Sequence, residues 1–197
     1  MTKKSAGSTG EATRERIVAA ALKTLKDKGF AGATSRAIAR AGSFNQALIY
    51  YHFGSVDDLL LAALDTTSAE RLERYREEVD KAQTAEQLAE IAARVYKEDR
   101  DGGHMTVVSQ MIAGSVARPE LAPEMLARME PWIELCEDAL KKALAQTPAA
   151  EVVPFRDLAY ALVTFYLGLN LLTHLDEDRE RTEALVARLQ LLAPLLS

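Results

Sequence analysis

Apolar residues recur at spacings of three and four along most of the chain, which places them on one face of an amphipathic helix. The first such stretch runs from Glu11 to Lys28, and Gly29, which follows a Lys-rich turn, predicts where that helix stops. We find no internal repeat and no apolar–polar alternation longer than a few residues. The pattern therefore predicts an all-α protein.

Residues suited to N-caps predict where the next helices begin. A short helix is expected from Thr34 to about Ala41, and a second over Gln46–Phe53 after a turn at 42–44. Further caps stand at Asn45, at Ser55 with Asp58, and at Thr84 with Gln87. Later helices are expected over 105–116, 120–146, 157–175 and 179–192, with Pro131 either kinking or splitting the second of these.

Charge is distributed unevenly along the chain. The net charge is −5, but residues 1–54 contain nine Lys or Arg against three Asp or Glu, and residues 55–197 contain fifteen against twenty-six. This asymmetry indicates a small basic module fused to a larger acidic body. We expect a disordered basic tail over residues 1–10, the module over 11–54 and the helical body over 55–197.

The composition, 48% apolar and 27% charged, is that of a globular protein and excludes collagen-like and wholly disordered classes. Cys136 is the single cysteine, so no internal disulfide can form. The N-terminus lacks the apolar region of a signal peptide, and the longest uncharged run, 158–175, contains several polar residues and is better interpreted as a buried helix. We expect a cytoplasmic protein without a membrane segment or a cofactor. The three histidines lack metal-ligand spacing, so we also expect no metal site.

Residues 34–53 have the pattern of a helix–turn–helix. Ile38 would anchor the first helix, and Ile49 and Phe53, four residues apart, would form the buried stripe of the second. In this motif the second helix enters the major groove and presents its N-terminal residues to base edges. Gln46 could contact adenine, and Ala47 or Leu48 a thymine methyl group.

Residues 11–64 resemble the DNA-binding domain of TetR-family transcriptional regulators. The resemblance is carried by a long first helix, by Thr34 with Ile38 and Ala39, and by the run Asn45–Ser55, in which Ile49–Phe53 matches the family's aromatic hallmark. It implies a homodimer whose C-terminal domain dimerises and binds a small molecule. It also implies base contacts from Gln46, Ala47 and Leu48, and phosphate contacts from Thr34, Arg36, Tyr50, Tyr51 and His52. Asn45, the cap of this helix, belongs to the same expected DNA-binding set.

Two positions depart from the family pattern. Ser43 stands where the turn calls for glycine, with Gly42 one residue earlier, and a left-handed conformation costs serine more than glycine. Val56 stands where a lysine commonly contacts phosphate, and loss of one such contact would lower the salt dependence of binding.

The last two predicted helices are the candidates for dimerisation. Two such hairpins would form a four-helix interface around a two-fold axis, although burial within one subunit would explain much of the same pattern. The leucine-rich stripe consists of Leu158, Leu162, Phe165, Leu169 and Leu172 on one helix and Leu185, Leu189 and Leu192 on the other.

The middle of the body contains the candidate ligand residues. Methionine and aromatic side chains suit an apolar and loosely selective cavity, but most such residues in any protein are ordinary core. Polar residues in apolar surroundings, including Gln110 and His174, could orient a ligand. The candidates are Tyr96, His104, Met111, Met129, Trp132, Phe165, Tyr166 and Asn170.

The sequence thus favours a ligand-responsive transcriptional regulator, expected to be a repressor, that binds a palindromic operator as a dimer. A small and largely apolar effector would shift the body to a conformation in which the long helix after Ser55 swings and releases DNA. An enzyme is one alternative, for which Cys136 with a distant histidine would be the only nucleophile pair. A helical adaptor for a protein partner is the other.

Overall fold

The computed structural model describes residues 5–145, 147, 151–173 and 180–192. The elements of this part of the chain are helices, as predicted, with one short 3₁₀ turn over Pro119–Leu121. The α-helices are α1 Ser5–Gly32, α2 Ser35–Gly42, α3 Ala47–Phe53, α4 Val56–Lys81, α5 Ala85–Gly102, α6 His104–Ala117, α7 Ala122–Leu144, α8 Phe155–Thr173 and α9 Glu180–Leu192.

The chain forms two compact units. The first comprises residues 1–68 and 106–125, and the second comprises residues 69–105 and 126–197. Helices α4, α6 and α7 each contribute residues to both units. The first unit therefore contains most of α6, although the charge pattern places this helix in the acidic body. The functional division of the chain at residue 54 stays a prediction.

Helix α1 differs from its predicted bounds at its beginning. Residues 5–10, predicted as part of a disordered tail, are helical, and residues 1–4 lie outside the described residues. Adding a residue to a helix that already exists costs far less than starting one, so weak helix formers can extend it. At the other end, Gly29 has φ 68° and interrupts the helix where glycine predicts a stop.

Side-chain caps start the helices at or near the predicted positions. The Thr34 hydroxyl accepts from the Ala37 N–H at 3.3 Å, and the Ser55 hydroxyl accepts from the Asp58 N–H at 3.0 Å. The Thr84 hydroxyl accepts from the Gln87 N–H at the start of α5. After its last residue, Gly102, this helix is capped by Gly103, which has φ 67°. Such caps satisfy N–H groups that have no partner within the helix.

Proline at position 131 lies inside one helix. Helix α7 runs from Ala122 to Leu144 with Pro131 in its interior, so the alternative of two separate helices is wrong. Within the described residues, no single helix is both long and apolar enough to cross a membrane. Helices α3 and α4 meet the combined requirement of length and hydropathy only when taken together, across a bend of 66°.

The turn between α2 and α3 depends on two adjacent residues. Ser43 has φ 53° and ψ 48°, and among the described residues it is the one non-glycine with positive φ. The Phe44 N–H donates to the Ala39 carbonyl at 3.0 Å, which closes the end of α2. A Cβ added at Gly42 would overlap the Phe44 ring and lie 2.8 Å from the Ala20 Cβ. Gly42 is therefore required for close packing, and Ser43 takes the left-handed conformation.

Replacing Ser43 by glycine should raise the free energy of unfolding by about 1 kcal/mol, because glycine adopts this conformation without steric cost. Gly42→Ala should lower it by about 1–3 kcal/mol through the overlap with Phe44. Urea denaturation of both variants measures the two changes. Ala41→Gly, at an exposed helical position, is the control and should destabilise. A Ser43→Gly variant no more stable than the wild type would contradict this account of the turn.

Candidate functional site

Helix α3 buries one residue and exposes its neighbours. Ile49 is 0% exposed, whereas Tyr50 is 51% exposed and Tyr51 is 82% exposed. Gln46 and Ala47, at the start of the helix, are also exposed. The helix is thus anchored by Ile49 and presents the residues predicted to contact bases and phosphates.

The start of α3 is fixed by the residue predicted to cap it. The Asn45 side-chain oxygen accepts from the Ala47 N–H at 2.9 Å, and the Leu48 N–H donates to the Asn45 carbonyl at 3.0 Å. Asn45 itself stays exposed, while Leu48 is half-buried. A contact from Leu48 to a thymine methyl group would therefore use only part of its side chain.

Basic side chains surround this helix. Arg36 and Arg40 on α2 are exposed, as is Thr34 at its N-cap. Two further exposed arginines of α1, which the motif analysis missed, lie over aromatic rings of the helix–turn–helix. The Arg14 guanidinium is 4.8 Å from the centre of the Phe53 ring, and that of Arg16 is 5.8 Å from Phe44. Cation–π contacts of this kind orient an arginine without neutralising its charge.

The predicted phosphate contact His52 and the departing position Val56 are less accessible. The His52 ring is half-buried and packs edge-on against Tyr51, with the ring centres 4.9 Å apart. Val56, where the family carries a lysine, is half-buried as the first residue of α4. The exposed arginines of α1 and α2 therefore offer more positive charge to DNA than the end of α3 does.

Helix α6 is held against the end of α1 within the first unit. The Phe30 N–H donates to the Gln110 side-chain oxygen at 2.9 Å. A Cβ at Gly114 would overlap the Phe30 ring, so the helix approaches this ring closely only because residue 114 is glycine. Arg118 lies over the same ring, 5.2 Å from its centre, and pairs with Asp57 of α4. We call Phe30, Asp57, Gln110, Gly114 and Arg118 the α6 seat.

The α6 seat changes the interpretation of two candidate ligand residues. Gln110 accepts from Phe30, so it helps to hold the first unit. Met111 is 0% exposed and belongs to the first unit as well, whereas the other candidates belong to the second. The periodicity of α6 could not show this because a buried face has the same pattern whichever element covers it.

A buried ion pair lies in the second unit. Asp99, 4% exposed, pairs with Arg71 and accepts from the Tyr166 hydroxyl. Arg71 also donates to the Tyr75 hydroxyl at 3.0 Å, which in turn donates to Glu98 at 3.0 Å. Burial raises the pKa of Tyr166, so this hydroxyl stays protonated and donates. Neither Arg71 nor Asp99 was a candidate, because a charged residue on a helix usually faces solvent.

Three predicted ligand residues lie on this polar cluster or beside it. Tyr166 contacts Asp99, and the Asn170 side chain donates to the Tyr166 carbonyl at 2.9 Å. The buried hydroxyls of Tyr96 and Thr173 are 3.4 Å apart. Thr173 donates to Thr182 at 3.2 Å, which joins α8 to α9.

The remaining ligand candidates are distributed more widely. His104 is buried and its ring centre is 6.4 Å from that of Trp132, which is half-buried. Met129 is half-buried on α7. Phe165 is 44% exposed on α8 and faces away from this interior. His174 lies outside the described residues.

The predicted dimerisation stripe is mostly uncovered. Leu162 is 40% exposed and Leu172 is 61% exposed, but Leu169 is 9% exposed and is packed within its own unit, as the alternative of intramolecular burial predicts. The side chains of Leu189 and Leu192 lie outside those the structure describes. The uncovered part of the stripe, which we call the α8 face, consists of Leu158, Leu162, Phe165 and Leu172, with Leu185 of α9 also exposed.

The chemistry of Cys136 argues against its use as a nucleophile. Burial raises the pKa of its thiol to about 11. The thiolate is the reactive form, so at neutral pH this cysteine is a poor nucleophile. Within the described residues, no three His, Cys, Asp or Glu side chains lie close enough together to hold a metal ion.

The N-terminal region matches a known family. Residues 17–63 match the family described as bacterial regulatory proteins, tetR family. The HTH-type transcriptional regulator UidR of Escherichia coli K12 is 26% identical over 110 residues, which are 56% of this chain and 55% of UidR. The chain thus spans about half the length of the curated relatives it matches.

Solved structures share the fold over most of the chain. The fatty acid degradation regulator FadR of Bacillus halodurans has a TM-score of 0.77 at 15% identity, covering 91% of this chain and 93% of its own. FadR of Bacillus subtilis, in complex with stearoyl-CoA, has a TM-score of 0.77 at 15% identity, covering 91% and 96%.

The predicted fold class, an N-terminal helix–turn–helix followed by a helical domain, is confirmed by these comparisons. The matches to proteins described as regulators favour the prediction of a regulator over the enzyme alternative. Over residues 17–63 the chain is therefore similar to the TetR family of bacterial regulatory proteins, which confirms the resemblance found in the sequence.

Proposed function

We propose that the protein is a cytoplasmic, ligand-responsive transcriptional repressor that binds a palindromic operator as a homodimer. The observation that carries the proposal is the arrangement of α3, which is anchored by the buried Ile49 and exposes Gln46, Ala47 and the tyrosines beside it. A helix–turn–helix requires this combination, because the recognition helix must be held by the domain and still enter the major groove.

Exposed arginines supply the affinity that does not depend on base sequence. Arg14, Arg16, Arg36 and Arg40 all belong to the first unit and are exposed. Phosphate contacts from such side chains position a protein on DNA, and base contacts provide the specificity. Gln46 is suited to contact adenine and Ala47 to contact a thymine methyl group, so these two residues would determine which base sequence is bound.

Dimerisation through the α8 face is supported by its exposure. A continuous run of large apolar side chains on one helix is expensive to leave in water, and such patches usually mark interfaces. A palindromic operator requires two recognition helices about 34–36 Å apart, which a two-fold dimer supplies. The mixed exposure along α8 suggests that Leu162, Phe165 and Leu172 contact the partner while Leu169 supports the helix from behind.

The effector is proposed to bind the second unit and to act through helices that belong to both units. FadR of Bacillus subtilis, of similar fold, was solved with stearoyl-CoA bound. In this chain α4 and α6 carry residues of both units, and the α6 seat fixes α6 to the DNA-binding unit. An effector that favours another position of α6 would weaken operator binding by about 5–150-fold, which corresponds to a coupling of about 1–3 kcal/mol.

Replacing Arg36 by alanine should weaken binding to all DNA sequences about equally. The slope of log affinity against log salt should fall by about 0.9 per subunit, because one phosphate contact is lost. Fluorescence anisotropy with duplexes from the region around the protein's own gene measures both effects. Arg76→Ala is the control, since Arg76 is exposed on α4 in the second unit. No binding by the wild type, or equal slopes for both variants, would contradict the proposal.

Placing a charge on the α8 face should separate the dimer. Leu162→Glu puts a carboxylate into the proposed interface, where it would have no partner. Sedimentation velocity should then report a monomer with unchanged helicity. Leu126→Glu, at another exposed leucine of the second unit, should leave the dimer intact. A Leu162→Glu dimer as stable as the wild type would exclude this face.

Closing the space at Gly114 should move α6 and change DNA binding without an effector. The added Cβ of Gly114→Ala overlaps the Phe30 ring. We expect operator affinity to decrease by about 5–150-fold, which is the range typical of allosteric coupling. Gly102→Ala is the matched control, because a Cβ there meets nothing within 4 Å. Unchanged affinity in a folded Gly114→Ala protein would show that the α6 seat plays no part in the response.

A further inference from the structure

We propose that Arg14 is a positioning residue for the recognition helix. Its guanidinium binds a DNA phosphate and at the same time holds the Phe53 ring at the end of α3, so one side chain links backbone binding to the base contacts. Arg16 acts in the same way on Phe44, the residue before the Asn45 cap. This inference rests on the proposed function, in which α3 enters the major groove. It adds that the preference for one base sequence depends on residues of α1, outside the helix–turn–helix.

Helix α3 has few contacts of its own that fix its direction. It spans Ala47–Phe53, about two turns, and buries a single side chain, that of Ile49. One buried side chain fixes where a helix lies but leaves it able to tilt or rotate about that point. At the end of α3 the Gly54 N–H donates to the Tyr50 carbonyl at 3.0 Å, which closes the helix on itself without attaching it to the domain. The position of this end therefore depends on Phe53, which is half-buried.

The two arginines of α1 lie at the two ends of α3. The Arg14 guanidinium is 4.8 Å from the centre of the Phe53 ring at the end of the helix. The Arg16 guanidinium is 5.8 Å from the centre of the Phe44 ring before its start. Cation–π attraction acts within about 6 Å of a ring centre, so the contact of Arg14 is the stronger of the two.

The charge of these two arginines is not neutralised within the protein. Arg118 also lies over an aromatic ring, 5.2 Å from its centre, but it is paired with the Asp57 carboxylate. By contrast, no carboxylate in the described part of the chain, including that of Glu15 between them, forms an ion pair with Arg14 or Arg16. Both arginines are exposed. Their full positive charge is therefore available to a phosphate.

The contact with a ring and the contact with a phosphate are compatible. Cation–π attraction acts on the charge of the guanidinium and uses none of its N–H groups, which can still bind a phosphate at the edge of the group. A phosphate that fixes Arg14 thus also fixes the cation over the Phe53 ring, and with it the end of α3. Arg36 lies over no aromatic ring of the described residues, so a phosphate contact from Arg36 supplies affinity alone.

Fluorescence anisotropy with two duplexes, at several salt concentrations, separates these two roles. The first duplex is the tightest-binding one from the region around the protein's own gene, and the second has the same length and base composition in shuffled order. The ratio of the two affinities measures the preference for a base sequence. The slope of log affinity against log salt measures the number of phosphate contacts.

Arg14→Ala should lower both quantities. The slope should fall by about 0.9 per subunit, because one phosphate contact is lost. The ratio should fall by about 2–5-fold per subunit, the size of a cation–π contact at an exposed site. Arg36→Ala is the matched control, at another exposed arginine, and should lower the slope but leave the ratio unchanged.

Phe53→Leu tests the ring itself. Leucine keeps an apolar side chain at this position and leaves the charge of Arg14 in place, so the ratio should fall as it does in Arg14→Ala while the slope is unchanged. The double variant should lower the ratio no further than either single change, because both remove the same contact. Circular dichroism checks that each variant keeps the wild-type helicity. If Phe53→Leu loses helicity, the comparison of Arg14→Ala with Arg36→Ala decides alone.

Three outcomes would overturn the inference while leaving the proposed function intact. These are a ratio for Arg14→Ala equal to that of the wild type or of Arg36→Ala, an unchanged slope for Arg14→Ala, and additive effects of Arg14→Ala and Phe53→Leu on the ratio. A wild type that binds the two duplexes equally contradicts the proposed function, and the inference fails with it.

Discussion

The close approach of α6 to the Phe30 ring brings residues from the middle of the sequence into the first unit. Gly114 allows the approach, the Gln110 side-chain oxygen accepts from the Phe30 N–H next to the interruption at Gly29, and Arg118 lies over the same ring. With these contacts, a helix from the middle of the sequence completes the core of the N-terminal unit. Helix α6 itself begins with His104 and Met105, which belong to the second unit, and its remaining residues belong to the first.

Features set by neighbouring residues could be predicted from the sequence. Thr34, Ser55 and Thr84 cap helices in the structure because a cap needs only a side-chain oxygen and an N–H three residues later. The left-handed turn at Ser43 follows from the spacing of the motif in the same way. The role of Gly42 could not be predicted, since it depends on where Phe44 and Ala20 lie in space.

Features set by distant residues could not be predicted from periodicity. Leu162 and Leu169 belong to one apolar stripe of α8, yet one is 40% exposed and the other 9%. A helical repeat fixes the face on which a side chain lies, but coverage of that face depends on other helices. For the same reason, Met111 was grouped with ligand candidates although α6 packs with α1. The helix–turn–helix itself was easier to predict because its residues are close in sequence.

The sequence analysis predicted an apolar interior for the second unit, and the buried Arg71–Asp99 pair departs from that prediction. An interior of methionines and aromatic rings would hold an apolar ligand by area alone and would distinguish poorly between ligands. A buried Arg–Asp pair contributes little net stability, because desolvation offsets most of the attraction between its members. Its physical effect is instead to fix the orientation of Arg71, whose Nη2 contacts Asp99 and donates to the Tyr75 hydroxyl.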